Sequence, residues 1–177
     1  SSMVVHALRG CGMDPSYLVG GEVRSTGSNA GWGTGEWLVV EADESDRSLL
    51  KLTPRIAVLT NAELDHHATY ASQRDVDDTF RAFLAMAEHT VLGDEPDLAR
   101  FAGAEDPARV TLARPQNVLL EPGGSRFDFA DVAVRLAVPG AHNARNAATA
   151  LAACALAGAP LDAAAAALAD FTGAGRR

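Results

Sequence analysis

Two short apolar runs, Trp37–Val40 and Ile56–Leu59, constrain the fold of this chain more than any other feature. Both are rich in β-branched residues and bounded by polar clusters. They predict buried parallel strands joined by a helical crossover over Ser45–Leu52, where Pro54 blocks continuation. Each run ends in side chains suited to chemistry: Glu41, Asp43, Glu44 and Asp46 after the first, Thr60, Asn61, Glu63, Asp65 and His66 after the second. Open α/β sheets bind ligands at the carboxyl ends of their strands, so both sets are expected to face one crevice. Hard oxygen ligands with an imidazole nearby suit a magnesium ion that serves a phosphate substrate.

The remaining chain fits an α/β protein with an antiparallel extension. Ser2–Cys11 has helical spacing, and Gly12 stops it. Tyr17–Val19 reads as a strand ending at Gly20-Gly21, followed by a glycine- and serine-rich loop from Ser25 to Gly35. Val76–Ala87 predicts an amphipathic helix with Val76, Phe80, Phe83, Leu84 and Ala87 inward. Thr90–Leu92 and Val110–Leu112 read as strands. Arg126–Phe129 and Val132–Val138 alternate around Ala130-Asp131, the pattern of a hairpin. Asn143 is placed to cap an alanine-rich helix running to Ala157, and Leu161–Ala169 predicts another.

Composition excludes several classes of function. The formal net charge of −8 argues against a general nucleic-acid binder. It leaves a nucleotide enzyme open, because backbone amides and a metal ion hold phosphates locally. Cys11 and Cys154 are far apart and outside any C-x-x-C pattern, so neither a disulfide framework nor a zinc site is expected. No apolar run approaches a membrane span, so no membrane partner is expected, and the reading is cytoplasmic.

Three motifs in order carry a family resemblance: EADESD at 41–46, TN-x-E-x-DH at 60–66 with Tyr70 behind it, and PG-x-HN-x-x-N at 139–146. The chain resembles the central ATP-binding domain of the Mur ligases, within them most nearly the branch that adds L-alanine to UDP-N-acetylmuramate. The resemblance implies a mostly parallel sheet flanked by helices, ATP and Mg²⁺ as cofactors, and amide formation in peptidoglycan precursor synthesis. It assigns Glu41 and His66 to magnesium, Asn29, Asp43, Glu44 and Asn61 to substrate, and His142, Asn143, Asn146 and Arg177 to ATP. No catalytic nucleophile or base is assigned.

The family's phosphate loop, G-T-H-G-K-T-T-T, has no counterpart, and Lys51 is the only lysine. The resemblance therefore implies a chain truncated at both ends. Residues 1–170 would be the central domain without its phosphate loop, and 171–177 the start of a domain that binds the incoming amino acid. Such a piece alone is expected to have no ligase activity.

Other readings remain beside these. Taken alone, Glu41 reads equally as a solvated carboxylate, Asp46 as a helix-dipole partner, Asn29 as part of a solvated loop, and Asn143 and Asn146 as a polar cap. Asp65-His66-His67 also spells the signature of DHH metal phosphoesterases, although those enzymes need further aspartates in D-x-D settings and a DHH that follows its strand more directly, whereas here TNAEL intervenes and EADESD precedes. A tripeptide-recycling Mur ligase and a non-catalytic nucleotide-binding module complete the alternatives.

Overall fold

The computed structural model describes residues 1–65, 68–103 and 106–175, and these form two compact units. The first unit combines residues 1–41 with the chain from Arg114 onward; the second is Ala42–Ala113. Mixed α/β structure with a parallel sheet and an antiparallel sheet is present, as the sequence predicts.

In the first unit, helix α1 (Ser2–Gly10) leads into β1 (Ser16–Val23), which pairs antiparallel with β2 (Ser28–Gly31) and parallel with β3 (Leu38–Val40). Val5, Ala7 and Leu8 of α1 are buried, while Val4 is only partly covered. β1 does not stop at Gly20-Gly21 but runs through them. A Cβ on Gly21 would lie 3.3 Å from the Gly175 carbonyl oxygen, so the missing side chain lets the chain end approach. The Gly175 N–H donates to the Glu22 carbonyl at 2.8 Å, and Ala174 bridges Val23.

The antiparallel sheet is β7-β8-β9 in the chain-order numbering: β7 (Gln116–Glu121), β8 (Gly124–Phe129) and β9 (Val132–Leu136). Residues 125, 127 and 129 of β8 and 134 and 136 of β9 face inward, the period-2 pattern expected of them. Two helices cover this unit's interior, α4 (Ala141–Leu156) and α5 (Leu161–Leu168), and both contact α1. α4 is buried around most of its circumference, from Ala144 through Cys154, which its alanines make possible by letting neighbours close in.

The second unit holds a parallel sheet in the order β4-β5-β6, with strands Ile56–Leu59, His89–Gly93 and Val110–Ala113. Helix α2 (Gln73–Ala85) packs Val76, Phe80, Phe83 and Leu84 into one core with Leu59, Leu92 and Phe101. Ser72 Oγ accepts from the Asp75 N–H and so caps it. A short helix, α3 (Ala99–Ala102), precedes β6.

Two expectations need correction. The Trp37–Val40 and Ile56–Leu59 strands do not pair in one sheet: β3 bonds to β1, and β4 to β5. The crossover over Ser45–Leu52 is not an α-helix but a single 3₁₀ turn, Ser48–Lys51. Asp43 Oδ1 accepts from the Ser45 N–H and Asp46 Oδ1 from the Ser48 N–H, both at 2.8 Å. These bonds give the backbone a non-helical alternative, and Arg47 at φ +61° closes off the α conformation.

Candidate functional site

Glu41 is exposed and follows β3 directly. Its N–H donates to the Leu18 carbonyl at 2.9 Å, which extends the parallel pairing one residue and fixes the start of its side chain. The register sets Ala30 of β2 and Val40 of β3 on either side of Leu18. Asn29 and Glu41 therefore lie one residue beyond the same row, level with Val19 in the middle of β1 and at the carboxyl edge of β3, about 10 Å apart by two inter-strand spacings.

The loop behind this edge is tied down. Thr34 donates its N–H and its hydroxyl to Asp14 Oδ2, each at 2.9 Å, and these bonds hold the Asp14 carboxyl below the usual range. A Cβ on Gly35 would stand 1.9 Å from the Met13 carbonyl oxygen, so only glycine permits this approach.

At the amino end of α4, Gly140 at φ +104° occupies the cap position. Asn143 is inside the first turn and is not the cap; its Nδ2 donates to the Pro139 carbonyl at 2.8 Å. Asn146 Nδ2 pairs with His142 Nε2 at 2.9 Å. Each amide thus spends its nitrogen on a neighbour within the protein, and an amide oxygen is by nature an acceptor, the complement of an exocyclic amine. No acidic residue sits in this first turn. Further along α4, Cys154 Sγ lies against the Val4 carbonyl in α1. Asn146 and Cys154 are about 12 Å apart along the helix.

In the second unit a cavity of about 330 Å³ opens at the carboxyl end of β4. Its polar wall is the loop Thr60–Asp65 together with Glu44, and its floor includes Leu49, Leu59, Phe80 and Phe83. Glu44 and Asn61 are thereby brought together, while Asp43 is turned into its bond with Ser45. Asn61 Oδ1 accepts from the Glu63 N–H at 2.9 Å, closing an Asx turn.

The acidic segment is bound to the far end of the loop. Arg47 grips Asp75 through both carboxylate oxygens at 2.8 and 2.9 Å and stacks 5.0 Å from the Tyr70 ring. Tyr70 donates its hydroxyl to the Glu44 carbonyl at 2.6 Å. Sequence reasoning passed over Arg47, Gln73, Asp77 and Arg100. The available signal was Asp77, a charge one residue from Val76 on the inner stripe of α2.

His66, His67 and Arg177 lie outside the described residues. Among the described residues no three His, Cys, Asp or Glu side chains gather as a metal site. The donors present still fit magnesium, which is held by one or two carboxylates, waters and substrate phosphates rather than by an all-protein cage. No helix among the described residues is long and apolar enough to cross a membrane.

No protein-family model matches the chain. The chain is 39% identical over 197 residues to a protein from Arthrobacter sp. (strain FB24) named UDP-N-acetylmuramate–L-alanine ligase. That alignment covers 100% of this chain and 41% of the relative, so the chain spans about two fifths of the length of the curated relatives it matches. In structure it is similar to UDP-N-acetylmuramate-alanine ligase MurC from Thermotoga maritima, with a TM-score of 0.82 at 24% identity, covering 98% of this chain and 42% of that one. It is also similar to UDP-N-acetylmuramate:L-alanyl-gamma-D-glutamyl-meso-diaminopimelate ligase from Neisseria meningitides, with a TM-score of 0.84 at 23% identity, covering 99% and 63%. These two likenesses establish the fold.

Proposed function

We infer that this chain, homologous along its whole length to alanine-adding Mur ligases, is the central ATP-binding domain of such an enzyme. The reaction proposed is ATP-dependent joining of L-alanine to UDP-N-acetylmuramate, in the cytoplasm. The observation that carries it is the 39% identity over the full chain to a protein of that name.

A carboxylate resists attack by an amine, so it must first be activated. The muramate carboxylate attacks the γ-phosphorus of ATP, giving an acyl phosphate and ADP. The alanine amine then adds to the acyl carbon, loses a proton, and expels inorganic phosphate as the amide forms. Bound magnesium would offset the charge of the γ-phosphate as it meets a second anion.

The chain's own residues bind and orient. Glu41 would hold the metal from the carboxyl edge of β3, with His66 as its proposed partner. Asn29, at the same edge, would contact the sugar-nucleotide, and Asp43, Glu44 and Asn61 would shape its crevice. Asn143 and Asn146, through their amide oxygens, would accept from the adenine amine, with His142 holding Asn146 in place; Arg177 is a further ATP contact.

The test is phosphate release by the native polypeptide carrying this sequence, with ATP, Mg²⁺ and UDP-N-acetylmuramate. Release driven by L-alanine is expected. Release only with the tripeptide L-Ala-γ-D-Glu-meso-diaminopimelate would move the protein to the recycling branch. Release with neither would favour a nucleotide-binding module without turnover.

A further inference from the structure

The loop Thr60–Asp65 is held from behind by side chains that no step of the proposed reaction uses. The Ala62 carbonyl accepts from Gln73 Nε2 and from Arg100 Nη2, each at 2.8 Å. Both donors also reach Asp77: Gln73 Nε2 to Oδ1 at 2.9 Å, Arg100 Nη2 to Oδ1 and Nε to Oδ2 at 3.0 Å each. Ala62 is 2% exposed and Asp77 9%, so little water is available to replace these bonds.

Packing alone does not call for this arrangement. Well-packed apolar residues of similar volume generally serve stability as well as a buried ion pair. An ion pair that shares a third acceptor adds direction, because the guanidinium fork is rigid and planar. Here that acceptor is the carbonyl of Ala62, which directly follows Asn61 and sits inside the Asx turn closed by Glu63.

We propose that Asp77 is a positioning residue: through Arg100 and Gln73 it fixes the Ala62 carbonyl and so sets the loop that presents Asn61 to the cavity. The identity of the substrate at Asn61 rests on the ligase reading; the ordering of the loop does not.

Two variants, Arg100→Lys and Asp77→Asn, test it in the native polypeptide carrying this sequence. Lysine keeps a charge against Asp77 but cannot fork to Ala62. In Arg100→Lys, amide hydrogen exchange over residues 60–65 rises at least about tenfold, while the centre of α2 stays within about twofold. Turnover falls about tenfold with KM for ATP unchanged. Asp77→Asn raises exchange over 60–65 by more than it raises that of the centre of α2. Exchange over 60–65 that is unchanged in Arg100→Lys, or raised equally through α2, overturns the proposal. The exchange readout is independent of turnover: a wild type without ligase activity whose variants still loosen 60–65 removes the ligase reading alone. An active wild type whose variants keep the loop ordered removes the positioning role alone.

Discussion

Glu41 has a fixed main chain and an exposed carboxylate, the combination a metal ligand needs and a packing residue does not. Glu41→Ala is expected to leave the thermal midpoint near that of wild type and to cut L-alanine-dependent phosphate release by about 10²-fold or more. Comparing both quantities on one preparation checks this. Asp77 gives the opposite profile. Burial raises its pKa, but bonds from Gln73 and Arg100 outweigh that and hold it below the ordinary 3.8. A carboxyl with a depressed folded pKa stabilises above its unfolded value and loses that contribution as pH falls through the folded one. Asp77→Asn is therefore expected to cost about 2–4 kcal/mol near pH 7, and the gap to wild type should narrow below about pH 4. Denaturant titrations at the two pH values measure it. At this scale the sequence was partly legible. Glu44 and Asn61 line one cavity, as expected of residues at strand ends. Asp77 was hidden because Asp75 and Asp78 flank it, and only the folded helix sends Asp77 to Gln73 and Arg100, Asp75 to Arg47 and Asp78 to the surface.

Among the elements, apolar periodicity placed most strands and the hairpin, but Leu38 of β3 is exposed rather than buried, Ser28–Gly31 is a strand within the stretch read as a loop, and the crossover was misread. Ser45–Leu52 carries three leucines at helical spacing, but Asp43 and Asp46 bond their own backbone locally, and that competition is invisible to a periodicity argument. Gly20-Gly21 misled in the other direction: they sit within a strand, where Gly21 leaves room for the Gly175 carbonyl. The β8–β9 hairpin was placed at Ala130-Asp131, and its geometry adds something the pattern did not contain. Phe129 pairs with Val132, and the two turn residues have φ of +46° and +64°, the left-handed pair of a type I′ turn. Neither alanine nor aspartate suits this as well as Asn-Gly. The double variant Ala130→Asn, Asp131→Gly is expected to stabilise the protein by about 1 kcal/mol, read as a raised denaturation midpoint with an unchanged m-value.

Across the whole molecule, each unit has its own buried interior, one built on Leu136, Leu151 and Leu168, the other on Leu59, Phe80, Leu92 and Phe101. Native-state hydrogen exchange in rising denaturant is therefore expected to separate the slow amides of α4 and β8 from those of α2 and β5, as two cooperative groups. A single isotherm for all four elements would contradict that division. The order of the units along the chain carries a further consequence. α1 and β1 leave the ribosome before Ala42–Ala113, yet α4 and α5, which α1 packs against, begin only at Ala141 and Leu161. At 5–20 residues per second, translation takes roughly 5–20 s to make the intervening hundred residues. Met3, Val5 and Leu8 stay uncovered by those helices throughout, while the whole of Ala42–Ala113 is already outside and free to fold. Birth order thus makes the interrupted unit the later of the two to finish, and α1 the helix among them that waits longest for its partners.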